Sequence, residues 1–131
     1  MWLEKFLEII SRLIPVNPLS GIEDVLAKLD PRKFYIENVR SLLGISHKKA
    51  LQICETAVRH GYFERRIEVL CPDGRVAASA DSEANLPASV RCWHEEDEHY
   101  EEIELATADL QKLTFYRLNE QKTASLYETT A

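Results

Sequence analysis

The chain has 131 residues, of which 45% are hydrophobic and 8% aromatic, a balance that excludes wholesale disorder and indicates one globular domain with appendages. No apolar run reaches the roughly 18 residues that a membrane span needs, and the charged first residues do not resemble a signal peptide. Residues 28–79 hold ten basic and six acidic side chains, which favours an anionic partner there, whereas residues 80–131 hold four basic and twelve acidic ones and would repel it.

Residues 1–15 are predicted to form an N-terminal amphipathic helix that Pro15 ends. Eight of the residues from Trp2 to Ile14 are large and apolar, so the stripe is broader than packing against one neighbour requires. Packing into the core of the chain is the first interpretation. The alternative is a docking surface for another protein, and its anchors would be Trp2, Leu3, Phe6 and Ile10.

Residues 20–80 are predicted to form the main domain. Ser20 and Glu23 have the spacing of a capping box for a helix over residues 21–29, and residues 34–36 suit a short strand. A helix that ends at Gly44 and a second one over residues 47–60, capped by Ser46, follow. The alternating stretch "YFERRIEVL", the turn "CPDG" and the returning strand "RVAAS" predict an antiparallel hairpin.

Residues 81–119 are predicted to form a ribbon-like acidic extension, and residues 120–131 a flexible tail. Within the extension, "ASVRCW" and "TFYRLN" favour strands and "HEEDEHYEE" is an acidic run. The stretch "IELATADLQKL" predicts a short helix capped at Thr107.

Over roughly residues 20–80 the chain resembles the winged helix-turn-helix superfamily. The predicted elements follow the order of that fold, namely helix, short strand, helix, "LGIS" turn, helix and hairpin. The turn at residues 42–45, the small Ala50 at the helix crossing and Gly61 before the hairpin carry this resemblance. It implies an α+β fold, namely a winged helix with an extra N-terminal helix and a small C-terminal β-containing extension.

In DNA-binding members of that superfamily, the third helix enters the major groove and the wing lies near phosphates. The resemblance therefore implies a nucleic-acid surface made of His47, Lys48, Lys49, Gln52, Arg59, Arg65, Arg66 and Arg75. A solvated helix face accounts for the same side chains. Glu55 on this helix and the acidic last third of the chain also disfavour DNA binding.

Cys71 and Cys92 are spaced like the first ligands of the two knuckles of a zinc ribbon, but Gly74 and Glu95 stand where the second ligands belong. The segment resembles a ribbon that has lost its metal, and two unrelated cysteines are the alternative. We expect no metal and no cofactor; a retained site would use Cys71, Cys92, His94 and His99. An odd number of cysteines indicates a reducing cytoplasm rather than a disulfide framework.

No set of residues predicts catalysis, because Cys54 lies on the apolar side of its helix and the acidic run is typical of a solvated or partner-facing segment. We therefore expect a non-catalytic cytoplasmic adaptor or regulatory subunit that docks a larger partner protein and has no membrane contact. The alternative is a small dimeric DNA-binding transcription regulator that uses the third helix and the wing.

Overall fold

The computed structural model describes residues 2–14 and 22–119, and the chain divides into two compact units. Unit 1 is made of residues 1–65 and 116–131, and unit 2 of residues 66–115. The described residues form four α-helices and two antiparallel sheets, which confirms the α+β class. The boundaries between the units fall inside two strands, whereas the sequence places them at residues 80 and 119.

The helices are α1 (Trp2–Leu13), α2 (Ile22–Leu26), α3 (Ile36–Leu43) and α4 (His47–Arg59). The strands are β1 (Phe63–Leu70), β2 (Val76–Ala80), β3 (Ser89–Glu96), β4 (His99–Ala106) and β5 (Lys112–Leu118). Single 3₁₀ turns lie at Glu83–Asn85 and Thr107–Asp109. One sheet has the strand order β2–β1–β5, and the other consists of β3 and β4.

Local backbone chemistry fixes the junction between α3 and α4. Gly44 ends α3 in the left-handed conformation, with a φ of 63°, and this conformation is least costly for glycine. Ser46 begins α4, because its hydroxyl accepts a hydrogen bond from the Lys49 amide at 3.2 Å. Both predicted helices are thereby confirmed, apart from one residue at an end.

Helix α2 is shorter than the predicted range of residues 21–29. After Leu26 the chain tightens, because the Lys28 and Leu29 amides donate to carbonyls only three residues earlier, at 3.2 and 2.9 Å. The predicted cap at Ser20 lies outside the described residues.

The core of unit 1 is built around aromatic rings. Phe63 contacts Phe6 and Phe34 with centroid distances of 5.1 Å each, and Trp2 at 6.2 Å. Tyr116 stacks on Phe34 at 5.8 Å. Phe6, Phe34, Phe63 and Tyr116 are all at most 1% exposed, so α1 is part of the hydrophobic core of this unit.

The predicted short strand at residues 34–36 is reduced to one bridge, and its partner is far away in sequence. The Phe34 amide donates to the Tyr116 carbonyl at 2.9 Å, and the Tyr116 amide donates to the Phe34 carbonyl at 2.8 Å. Tyr116 lies in β5, which confirms the predicted final strand. Within unit 1, the segment that leads into α3 is therefore hydrogen-bonded to β5.

In unit 2 the predicted hairpin of β1 and β2 is confirmed, with Val69 opposite Ala78 and Glu68 opposite Ser79. Its turn is closed by a hydrogen bond from the Cys71 amide to the Arg75 carbonyl at 2.8 Å. The helix predicted for "IELATADLQKL" is wrong. Those residues form the end of β4, a 3₁₀ turn and the start of β5. Ile103 and Leu105 alternate with carboxylates and pair in register with β3.

Cys71 and Cys92 form a disulfide, with their Cα atoms 5.7 Å apart. The bond lies in the core of unit 2 beside the buried Val69 and Val90. This corrects the inference from an odd cysteine count, because the odd residue is Cys54, a free thiol buried in unit 1. The odd cysteine count is therefore no sign of a reducing cytoplasm, since disulfides persist in oxidising compartments.

Within residues 2–14 and 22–119, no helix combines the length and the apolar character that crossing a membrane requires.

Candidate functional site

Strands β3 and β4 form a regular hairpin with a two-residue turn. Glu96 pairs with His99, and the intervening Asp97 and Glu98 have positive φ angles of 48° and 67°. This backbone is usual for a two-residue hairpin turn, where asparagine and glycine are the favoured residues. The turn thus places two carboxylates at the tip of the hairpin.

The pairing assigns every hairpin residue to one of two faces, because side chains of directly paired residues point to the same side. On the inner face, Cys92 pairs with Ile103 and Val90 with Leu105. Val90 and Cys92 are buried in the core of unit 2, and Leu105 packs against it. On the other side, which we call the outer face, the pairs are Arg91 with Glu104, Trp93 with Glu102, and Glu95 with Tyr100.

The outer face presents two large aromatic side chains to solvent. Trp93 is 54% and Tyr100 69% exposed, and they are diagonal neighbours on adjacent strands. Both residues also line a groove of about 620 Å³, together with the inner-face residues Ile103 and Leu105. Aromatic residues of this size provide much of the binding energy at protein interfaces when a partner covers them.

Carboxylates surround the aromatic pair. Between residues 92 and 111 the sequence has no lysine or arginine. Glu102 forms an ion pair with Arg91 at 3.7 Å, and Glu104 accepts a hydrogen bond from Ser89 at 2.6 Å. In the part of the chain that the structure describes, no cation pairs with Glu95. Unit 2 as a whole holds four basic and twelve acidic side chains, against twelve basic and ten acidic in unit 1.

Five of the predicted nucleic-acid residues lie on α4 and are exposed or half-buried. His47 lies 3.5 Å from Glu37, whose pKa is lowered by the Arg40 guanidinium and, less, by His47. Lys49 donates to the side-chain carbonyl of Gln52 at 3.4 Å. Of the cations on this helix, Lys48, Lys49 and Arg59 form no ion pair with any carboxylate of the described residues.

The three arginines assigned to the wing are divided between the two units. Arg65 belongs to unit 1 and is ion-paired with Glu55, so these two charges largely cancel. Arg66 and Arg75 belong to unit 2, where Arg75 pairs with Asp73 at 3.4 Å. Arg66 is only half-exposed, and its Nε atom is buried without a hydrogen-bond partner among the residues described.

The anchors proposed for α1 are mostly inside the fold. Phe6 and Ile10 are 0% exposed and belong to the core of unit 1. Trp2 and Leu3 are half-buried and pack against the same core. Core packing therefore accounts for the broad apolar stripe, and Phe6 and Ile10 have no surface left for another protein.

The candidate metal ligands are not arranged as a ligand set. Cys71 and Cys92 are joined to each other and have no thiolates to offer, and His94 lies 3.7 Å from Glu96 at the hairpin tip. Among the described residues, no group of three or more histidine, cysteine or acidic side chains could hold a metal ion.

Two buried titratable groups in unit 1 are held in their neutral forms. Burial, helped by the Glu55 carboxylate, raises the pKa of the Cys54 thiol to about 12. Burial and Glu55 also raise the pKa of Tyr116. The Tyr116 hydroxyl and Glu55 Oε2 are near enough to influence each other, but neither has a hydrogen-bond partner of good geometry in the described chain. A neutral, inaccessible thiol is typical of a structural cysteine rather than a nucleophile.

We expect these thiol states to be visible in a labelling experiment. The folded protein should react with no equivalent of a thiol reagent at pH 8, because Cys54 is buried and protonated and the other two cysteines are oxidised. In denaturant one equivalent should react, and after reduction three. Three equivalents in denaturant without reductant would show that Cys71 and Cys92 are free.

The sequence did not identify Trp93 and Tyr100 as site residues. The alternation of side chains on either side of Asp97 is the signal that could have identified them. It places Trp93 opposite Glu102 and Tyr100 opposite Glu95. The continuous acidic run obscured that alternation, because carboxylates occupy both faces of the hairpin near its tip.

Searches of protein-family models, of curated proteins and of solved structures found no match to this chain.

Proposed function

We propose that this protein is a non-catalytic adaptor that docks a partner protein through the outer face of the β3–β4 hairpin. The observation that carries the proposal is the exposure of Trp93 and Tyr100 side by side on a regular two-stranded sheet. Exposed large aromatic residues grouped on one rigid element are a usual sign of a protein-binding surface. The surface is rigid because the disulfide joins β3 to the end of β1 within unit 2.

A winged-helix scaffold for unit 1 is part of the proposal. It is supported by the succession of α3, the Gly44 turn and α4, followed by an extended strand. It is also supported by the pairing of Phe34 with Tyr116 in β5, since β5 is itself a neighbour of β1. In this interpretation β1 and β5 are the wing strands, and unit 2 occupies the place of the wing loop in the sequence.

Affinity capture from extracts of the source cells tests the adaptor proposal. The baits are the wild type, Trp93→Ser/Tyr100→Ser, and the control Lys48→Glu/Lys49→Glu, which also changes two accessible side chains but in unit 1. Nuclease treatment removes partners bridged by nucleic acid. We expect one protein retained in equal amount with the wild type and the control, and reduced about tenfold or more with the aromatic double variant. Equal capture by all three baits would contradict docking through the hairpin.

A second candidate function is DNA binding by unit 1. It is favoured by Lys48, Lys49 and Arg59, whose charges no carboxylate of the described chain neutralises, and by Arg65, which removes the charge of Glu55. The acidic excess of unit 2 opposes it, since phosphate neutralisation supplies most of the affinity of non-specific DNA binding. Dimerisation of the chain would compensate by doubling the contacts.

A salt titration with random-sequence duplex DNA tests this second function. If it holds, binding falls steeply between about 25 and 200 mM salt and is lost in Lys48→Glu/Lys49→Glu but kept in Trp93→Ser/Tyr100→Ser. No binding by the wild type at the lowest salt would exclude the α4 surface as a DNA-binding face.

A further inference from the structure

The outer face of the hairpin combines three properties that together define the chemistry of its partner. It has an exposed aromatic pair, Trp93 and Tyr100, and it is bordered by carboxylates on both strands and at the turn. Among the six paired residues that define this face, Arg91 is the single cation, and it forms an ion pair with Glu102 at 3.7 Å. Each property limits which kind of partner segment can bind this face, and all three favour the same kind.

The aromatic pair needs a partner group that can lie flat against a ring. Trp93 and Tyr100 are diagonal neighbours, so one extended segment crossing the two strands can contact both. Aliphatic stems and planar guanidinium groups fit such a surface, and a cation above a tryptophan or tyrosine ring is attracted by the ring electrons.

The carboxylates determine the charge of that segment. Glu95 shares the outer face with Trp93 and Tyr100, and it has no cationic partner in the residues that the structure describes. Glu102, directly opposite Trp93, has only Arg91 at 3.7 Å, and 45% of its side chain is exposed. An apolar segment would bury these carboxylates without compensation, and an acidic one would be repelled, so charge complementarity selects a cationic segment.

We propose that the outer face binds an extended, arginine- and lysine-rich segment of the partner protein. In this arrangement cationic side chains lie over Trp93 and Tyr100 and form ion pairs with Glu95 and Glu102. The inference rests on the proposed adaptor function and specifies the chemistry of its partner. It excludes nucleic acid and anionic lipid at this face, because their phosphates would meet the same carboxylates.

Binding of a synthetic basic peptide tests the proposal. The probe is fluorescently labelled Gly-Arg-Lys-Arg-Ser-Arg-Lys-Arg-Gly, titrated with the intact protein at about 50 mM salt and followed by anisotropy. Two variants alter the face, namely Trp93→Ser/Tyr100→Ser and Glu95→Gln/Glu102→Gln. The matched control is Glu4→Gln/Glu23→Gln, which removes the same charge from two exposed positions in unit 1.

We expect the wild type and the control to bind the basic peptide with affinities equal to within about twofold, and each face variant to bind about tenfold or more weakly. Dispersed amide signals from residues 66–115 in every variant show that unit 2 is folded. Equal weakening in the control and in Glu95→Gln/Glu102→Gln would mean that only net charge matters, and this would overturn the proposal. Absence of binding by the wild type would overturn it as well.

The capture experiment separates this inference from the adaptor function itself. In one outcome, capture of a partner requires Trp93 and Tyr100 and yet is equal for Glu95→Gln/Glu102→Gln and the wild type. That result would support the outer face as the docking surface and contradict a cationic ligand. If capture depends on neither pair, the adaptor function fails too.

Discussion

Replacement of Phe63 by alanine is expected to lower the free energy of unfolding of unit 1 by about 3–5 kcal/mol. The Phe63 side chain is 1% exposed and contacts the rings of Trp2, Phe6 and Phe34. Its removal leaves a cavity between side chains of α1 and the Phe34 ring. These elements are distant in sequence and cannot all move inward to fill the space.

Urea unfolding followed by the fluorescence of Trp2, in a Trp93→Phe background, measures this effect. The control is Leu51→Ala on α4, because Leu51 is 38% exposed and its truncation should cost less than about 1 kcal/mol. A loss below about 1 kcal/mol for Phe63→Ala would show that the aromatic residues do not form the packed core described for unit 1.

Removal of the disulfide by Cys71→Ala/Cys92→Ala is expected to lower the free energy of unfolding of unit 2 by about 3 kcal/mol. The bond closes a loop between cysteines 21 positions apart, and opening that loop restores conformational entropy to the unfolded chain. Cys92 is also 1% exposed, so its truncation weakens the packing around Val69 and Val90. In this unit the bond supplements a small hydrophobic core.

The disulfide effect is measured with Trp93 as the fluorescent probe in a Trp2→Phe background. Adding a dithiol reductant should destabilise the protein with native cysteines by a similar amount and leave Cys71→Ala/Cys92→Ala unchanged. Cys54→Ala provides the control, because it alters a cysteine in unit 1 and should not change the response of unit 2 to reductant. A double variant as stable as its parent would contradict the structural role of the bond.

The parts of the fold that the sequence predicts correctly are those set by local chemistry. Gly44 and Ser46 fix the end of α3 and the start of α4, and the turn after Cys71 fixes the hairpin of β1 and β2. The bridge from Phe34 to Tyr116 joins residues far apart in the chain, and no local pattern predicts it. The pairing of Cys71 with Cys92 is also a product of tertiary structure.

The β3–β4 hairpin was missed because its turn lacks the usual residues. Asp97 and Glu98 adopt the positive φ angles for which asparagine and glycine are the common choices, so the two turn residues do not predict a hairpin. The stretch that contains Ile103 and Leu105 predicts a helix because Thr107 is a suitable capping residue. In the structure Thr107 is buried and donates its hydroxyl hydrogen to the Pro87 carbonyl at 2.6 Å.

For the candidate site, the sequence predicts correctly only that the named α4 side chains are accessible to solvent. The α4 side chains named from the resemblance lie on the helix surface, as an amphipathic pattern requires. The pattern could not distinguish Trp2 and Leu3 from Phe6 and Ile10, since the depth of burial depends on the elements that cover a helix. Trp93 is accessible for a comparable reason, because the pairing of β3 with β4 directs it away from the core of unit 2.

Docking of a cationic segment on the outer face of the hairpin can be measured directly, because the two tryptophans lie in different units. Trp93 lies on that face, and Trp2 packs in unit 1. Their indole N–H groups give separate signals in an amide correlation spectrum of the ¹⁵N-labelled protein, which can be titrated with the peptide Gly-Arg-Lys-Arg-Ser-Arg-Lys-Arg-Gly. We predict that the Trp93 signal and the backbone signals of residues 93–102 shift to saturation, whereas the Trp2 signal stays in place. Shifts confined to other residues, or no shift at all, would contradict docking on this face.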